Sequence, residues 1–287
     1  PMLRKQNKVK TIHASLAIEG NTLTEEQVTA ILENKRVIGD WKEILEVKNA
    51  IEVYNRIPKF DFRSESSFLE AHRMLMSGLL EYPGEYRSRG VGIVQGSKVK
   101  HLAPPASNVA HLMKDLFDYL NEEELVLVQS CVFHYEMEFI HPFIDGNGRM
   151  GRLWQTLILR EEYPIFENTP IETIISQNQK SYYSALSESD KAGNSTQFIE
   201  FMLGVLEKAL RTYLSKPIES MNADSRIQYF LQSHPGEFSR KDYLKVFQNI
   251  STATASRDIK QALNTGLITS IGVGNQTKYR RQNPSVS

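Results

Sequence analysis

Apolar residues recur at spacings of three and four along most of the chain. Val28, Ile31 and Leu32 follow Thr24-Glu25-Glu26-Gln27, a capping-box pattern that predicts a helix opening there. Similar stripes predict helices at about 41–57, 66–80, 107–120, 123–139, 149–161, 179–189 and 196–215. In 107–120 the stripe is Leu112, Leu116, Tyr119 and Leu120, and the plain reading of such faces is core packing. Glu122-Glu123-Glu124 after Asn121 reads as the solvated first turn of the next helix. Ile12, Leu16 and Glu19 share one face of a short N-terminal helix closed by Gly20. One segment leaves the helical period. Residues 90–95 and 98–102, joined by Gly96-Ser97, predict a small β-hairpin that Pro104-Pro105 stops.

Lys216-Pro217 breaks a long helical pattern, and the charge changes sign nearby. From Met221 to Ser287 there are nine Lys/Arg against four Asp/Glu, so this tail carries +5 and the rest of the chain −5. Its pattern predicts helices at 225–232, 238–244 and 251–263, then strands at 267–270 and 277–281 around a glycine-rich 272–276. That order is a winged helix, with Thr252, Thr254, Ser256, Arg257 and Lys260 on the exposed face of its third helix. The expected architecture is therefore mainly α with a small β-hairpin, followed by a winged-helix (α+β) domain. Three regions are expected: an N-terminal region over 1–58, a core over 59–218 and the winged helix over 222–287.

Composition narrows the function classes. Hydrophobic residues make up 40% of the 287 and charged residues 24%, ordinary for a globular chain. A net charge of zero excludes a chain-wide polybasic coat. The single cysteine, Cys131, excludes an internal disulfide and a Cys-rich zinc module, and reads as a core residue. No apolar run approaches the roughly 20 residues of a membrane-spanning helix, and the first residues are polar. A cytoplasmic protein with no membrane contact is expected.

The chemistry is concentrated in His141-Pro142-Phe143-Ile144-Asp145-Gly146-Asn147-Gly148-Arg149-Met150-Gly151-Arg152. A helix ends near Ile140 at a proline, and two glycines allow close approach of backbone to a ligand. A new helix then begins, so unpaired N–H groups and the positive dipole end face outward. Arg149 and Arg152 sit in that first turn, where two cations oppose the dipole unless an anion lies between them. These features point to phosphate. Asp145 could hold a divalent cation against it, and His141 can take a proton near neutral pH. The bland alternative is a capped helix–helix turn with surface arginines. His134, Glu138 and His141 fall on one helical face, a spacing that could also ligate a metal.

This segment resembles the Fic-domain motif, H-x-F-x-[D/E]-G-N-G-R-x-x-R, at every specified position. Pro83-Gly84-Glu85-Tyr86-Arg87 resembles the family's P-G-x-[YF]-R segment, and the expected hairpin falls where the family carries a target-positioning flap. Tyr182-Tyr183 with Leu186 resembles its nucleotide-side helix after the motif. The likeness covers about residues 10–215. It implies a Fic helical fold and transfer of AMP from ATP to a Ser, Thr or Tyr hydroxyl of a target protein. It makes His141 the general base and Asp145 the Mg²⁺ ligand. Gly146, Asn147 and Gly148 become a phosphate cradle, Arg149 and Arg152 the β- and γ-phosphate clamps, and Tyr183 a nucleotide contact. Phe143 becomes the loop's anchor and His134 a packing residue. The intact Gly148 separates it from relatives that transfer the γ-phosphate.

Ser15-Leu16-Ala17-Ile18-Glu19-Gly20 resembles the family's inhibitory motif, [S/T]-x-x-x-E-[G/N]. The resemblance pairs Glu19 with Arg152 and so blocks the γ-phosphate position, with Ser15 and Gly20 shaping the helix. Other readings stay open: a DNA-binding regulator whose Fic-like part only senses nucleotide, or an enzyme that removes AMP. Expected partners are a hydroxyl-bearing target protein, a second copy in a homodimer, and DNA through residues 251–281.

Overall fold

The computed structural model describes residues 2–95, 98–219, 222–234, 236–248, 250–272 and 277–282. The chain divides into two compact units, Pro1–Leu210 and Arg211–Ser287.

The first unit is helical. Helix α1 (Met2–Ile18) leads to α2 (Glu25–Leu32), α3 (Trp41–Arg56) and α4 (Glu65–Leu75). A hairpin follows, β1 (Gly92–Gln95) antiparallel to β2 (Lys98–Leu102), with Gly92 opposite Leu102 and a register shift after Ile93. The Gly96-Ser97 turn lies outside the described residues. Then come α5 (Ala106–Tyr119), α6 (Val126–Ile140), α7 (Asn147–Glu162), α8 (Ile171–Gln177), α9 (Gln179–Ala192) and α10 (Thr196–Glu219), the last counted in this unit through Leu210. No described helix is long and apolar enough to cross a membrane.

Helices α6 and α7 form the spine. They approach closely because Gly151 carries no side chain: a Cβ there would lie 2.8 Å from Cδ2 of His134. Around them Phe68 packs on Trp154, Phe117, Phe133 and Phe143 with ring centroids 5.0 to 6.2 Å apart. The Trp154 indole N–H, fully buried, donates to the Phe62 carbonyl at 2.9 Å. A second apolar cluster, with Tyr182, Phe198 and Met202, holds α9 and α10 against α6.

Several elements differ from the sequence expectation, among them α10, which runs through Pro217 to Glu219 where a break was expected. Helix α1 is a full seventeen residues, with Val9, Ile12 and Leu16 in the core. Helix α4 stops at Leu75 rather than near 80, because Asn49 Nδ2 takes up the carbonyls of Leu75 and Ser77 and Gly78 turns at φ +69°. Glu122-Glu123-Glu124 are not a first helical turn. Gln129 Nε2 donates to the Tyr119 and Glu122 carbonyls, and α6 begins only at Val126. Helix α8, too short for a stripe, was not legible.

The second unit contains α11 (Ala223–Ser233), α12 (Arg240–Val246), α13 (Thr252–Asn264) and the antiparallel pair β3 (Ile268–Ile271) and β4 (Lys278–Arg281). Its own core includes Phe230, Tyr243, Phe247 and Ile259. A buried bidentate pair ties Arg226 to Asp258 at 2.7 and 2.9 Å, and the Tyr243 hydroxyl donates to the same carboxylate. Thr252, Arg257 and Lys260 are exposed on α13, whereas Thr254 and Ser256 are half-buried. Residues 273–276 of the expected wing lie outside the described residues.

Candidate active site

The site is a loop between two helices, held from below. Helix α6 ends at His141, whose backbone sits in the left-handed region at φ 50°, uncommon for a residue with a side chain. Its Nδ1–H donates to the Glu138 carbonyl at 3.3 Å, so the neutral ring keeps its lone pair on Nε2.

Arg87 fixes this corner. It is 3% exposed, and its guanidinium meets backbone carbonyls rather than a carboxylate: His141 at 2.7 Å, Ile140 at 3.2 Å, Pro104 at 2.6 Å and Arg89 at 3.0 Å. Its own N–H donates to the Pro142 carbonyl. A cation at the C-terminal end of α6 also meets the negative end of the helix dipole.

Phe143 anchors the loop floor. It is fully buried, and the His72 imidazole stacks on it with centroids 3.5 Å apart and planes 4° from parallel. His72 accepts from the Gly84 N–H through Nδ1, so its Nε2–H donates to the Asp145 carbonyl at 3.0 Å. Burial lowers the His72 pKa to about 4, which keeps this ring neutral. Sequence reasoning missed His72, because a lone histidine in a helical stripe carries no signal of what it braces.

Asn147 closes the loop on itself. Its carbonyl accepts from the Phe143 N–H at 2.9 Å and its amide donates to the Phe143 carbonyl at 3.0 Å. Its side chain thus holds the shape of the loop through both of its polar atoms. Gly146 takes φ +88° as the residue before α7, and a Cβ there would meet Met76 Sδ at 2.9 Å. The first N–H groups of α7 point out of the helix.

Asp145 is more than half exposed. Its Oδ1 accepts from the Gly146 N–H at 2.6 Å and from Arg149 at 3.1 Å. Arg149, buried to 5%, also reaches Glu46 Oε1 at 3.0 Å, and Glu46 Oε2 accepts from Asn21 at 2.8 Å. Glu46 was not legible in the sequence, because nothing near it distinguishes one acidic residue on α3 from another.

Arg152 is fully buried on the next turn of α7. Its NH2 donates to Glu19 Oε1 at 2.7 Å and to the Ser15 carbonyl at 2.9 Å, and its Nε to the Ser15 hydroxyl at 3.2 Å. Burial opposes its charge, but Glu19, Tyr182 and Glu138 together hold its pKa above the ordinary value. Gly20, at φ +96°, closes α1 with Gly20 N–H to Ala17 and Asn21 N–H to Leu16, a Schellman cap that presents Glu19 at the helix end. A Cβ on Gly148 would stand 2.5 Å from Glu19 Oε1, so glycine is what lets the carboxylate reach over the loop. Tyr183 lies half-buried on α9 within the field of Glu19, its ring 5.3 Å from that of Tyr182.

Behind the pair lies a hydrogen-bonded chain. The Tyr182 hydroxyl is 3.1 Å from Glu138 Oε1 and 3.0 Å from His134 Nε2, and His134 Nδ1 is 2.7 Å from Gln155 Oε1. Both His134 nitrogens are occupied, so the alternative of a metal on His134, Glu138 and His141 is set aside. Burial and Glu19 raise the Glu138 pKa to about 7. Cys131 is buried beside Gln155, and burial pushes its thiol up to about 12, as befits a core residue.

Known proteins resemble this chain. Residues 62–159 match the model of the Fic/DOC family. A crystal structure of a Fic family protein from Desulfovibrio desulfuricans G20 is 42% identical and covers all of this chain and 90% of its own, at a TM-score of 0.74. Curated proteins called protein adenylyltransferase Fic, from Culex quinquefasciatus and Drosophila melanogaster, are 31% identical over 73% and 74% of this chain. The chain spans only 42% and 43% of those two relatives. The fold is a helical scaffold that presents a glycine loop between a histidine and two arginines. This chain belongs to the Fic family.

Proposed function

We propose that this protein transfers AMP from ATP to a hydroxyl of a target protein and that Glu19 holds it inactive. The observation that carries the reading is the Glu19–Arg152 pair. A buried arginine on the first turns of α7 sits beside an otherwise formed anion loop, and a carboxylate from α1 takes its NH2 at 2.7 Å. The curated relatives' shared name, protein adenylyltransferase Fic, supports the chemistry.

In this reading the target hydroxyl loses its proton to His141 Nε2 and its oxygen bonds to the α-phosphorus. The bond from that phosphorus to the β-phosphate oxygen breaks, and pyrophosphate leaves with the electron pair. The backbone N–H of Gly148 at the start of α7, with Arg149 and Arg152, meets the developing charge, while the Gly146 N–H holds Asp145 in place. Asn147 and His72 keep those groups in register. Asp145 fits a Mg²⁺ role: it is an exposed carboxylate at the loop mouth, with Oδ2 unpartnered among the described residues. The ion, when bound, would neutralise phosphate charge.

The basic C-terminal unit, in the same reading, is a winged-helix module that selects partners. Incubation with α-labelled ATP and Mg²⁺ tests the main claim, comparing wild type with Glu19→Gly. Label on the protein or a co-incubated target, increased in the variant, is expected. No label from either protein on any substrate would overturn it.

A further inference from the structure

A cavity of about 460 Å³ lies beneath α1, lined also by α3, α7 and α8 and apart from the motif loop. Its volume is that of a small-molecule site. Two polar atoms there make no well-formed hydrogen bond: Glu172 Oε2, on a fully buried residue that the nearby Thr11 hydroxyl serves at most weakly, and the hydroxyl of Thr156, 5% exposed. Glu172 Oε1 is engaged, accepting from the Tyr54 hydroxyl at 3.4 Å. Burial raises the Glu172 pKa to about 7. Buried polar groups without partners are costly and are filled where a ligand can reach them.

The rest of the lining has two characters. Ile57, Pro58 and Phe166 give an apolar wall. Lys5 and Lys8, on α1, bring two ammonium groups: Lys5 is 2.6 Å from Glu33, and Lys8 donates to the neutral side chain of Asn55 at 2.9 Å. Glu167 opposes them in part but is drawn toward Arg160 at 3.7 Å. A ligand that answers this lining carries an anion, an apolar face, and an adjacent donor and acceptor. The donor would serve Glu172 Oε2 and the acceptor the Thr156 hydroxyl. An aminopurine nucleotide with one phosphate has all of these.

We propose that this cavity binds an aminopurine nucleoside monophosphate, phosphate toward Lys5 and Lys8 and base edge toward Thr156 and Glu172. Such a ligand bridges α1 to α7 and α8. It therefore favours the docked position of the helix that ends at Glu19, and it deepens inhibition by population shift. That consequence rests on the AMP-transfer reading; the binding itself does not.

The test uses the full chain and AMP, which cannot donate an adenylyl group with pyrophosphate leaving. Calorimetry on wild type, Lys8→Glu and Thr156→Val is combined with hydrogen exchange of α1 amides. Expected results are sub-millimolar binding to wild type, weakened at least tenfold by Lys8→Glu and several-fold by Thr156→Val, with α1 exchange slowed about tenfold. Labelling at saturating ATP should fall with AMP in wild type and not in Lys8→Glu. Neither variant touches the motif loop, so AMP seated only there would bind all three proteins alike, and that result overturns the proposal. Absence of AMP binding to wild type, or a cavity holding only water in crystals grown with AMP, overturns it equally. If binding and α1 protection hold while no protein is ever labelled, the site stands and the AMP-transfer reading fails.

Discussion

Arg149 meets Glu46 at 3.0 Å across 103 positions of sequence, and through it Asp145 is tied to the segment that follows α1. Asn21 donates to one oxygen of Glu46, Arg149 to the other, and Arg149 then turns to Asp145. The segment carrying Glu19 thus contacts both arginines of the motif: Arg152 directly and Arg149 through Glu46. Glu46→Ala leaves the 5% exposed Arg149 with one carboxylate instead of two. It should cost about 2 kcal/mol of stability, measured by urea unfolding, and raise the ATP concentration needed for half-maximal labelling.

Glu19→Gly should raise AMP labelling. In the AMP-transfer reading Arg152 pairs with Glu19 or with the γ-phosphate, not both. If the closed state is favoured by about 2.7 kcal/mol, about 1% of molecules are open, and the variant gains up to roughly 100-fold. Arg152→Ala frees Glu19 but loses the phosphate contact and should not gain. Equal labelling of Glu19→Gly and wild type, at equal fold by circular dichroism, would make α1 purely structural.

His141→Ala should lower transfer by about 10²–10⁴-fold with little change in ATP affinity, since a general base acts on the chemical step. Single-turnover labelling beside ATP titration separates the two. A matched loss in both would mean that His141 shapes the loop instead.

Asp145→Ala should abolish Mg²⁺-dependent labelling, and chelator should do the same to wild type. Labelling that persists in chelator would remove the metal from the mechanism.

Glu138 gives a pH signature. Burial raises its pKa from the ordinary 4.5 to about 7, so it contributes stability below pH 4.5 that is lost as pH rises toward 7. His72 and His134, lowered by burial to about 4 and 3, act in the opposite sense below pH 6.5. Glu172 acts as Glu138 does. The two pairs offset one another in wild type. Glu138→Gln removes one counterweight, so its stability relative to wild type should climb between pH 5 and 7, by up to about 2 kcal/mol. Urea midpoints at pH 5, 6 and 7 measure this, and a flat difference would mean that Glu138 titrates normally.

The long helices and the hairpin were legible because their signals are local: a stripe, a capping box, a glycine turn. Thr24 and Gln27 form both bonds of that box. Gly20 and Gly146, read as turn residues, both take positive φ. What was not legible depends on contacts between distant parts of the chain. Asn49 ends α4 from another helix, and His72 braces Asp145 from 73 residues away. The motif named Arg152 and the N-terminal pattern named Glu19. Ser15, within the same pattern, proved to supply two of Arg152's hydrogen bonds, one of them from its backbone, which no side-chain pattern encodes.

Arg87 gives the corner a mechanical property. One planar, nearly undeformable group bonds the Pro104 carbonyl, just past the hairpin, and the carbonyls of Ile140 and His141. The strand root and the imidazole's own peptide are therefore spokes on a single hub. Neither can shift independently of the other without breaking a bond to that guanidinium.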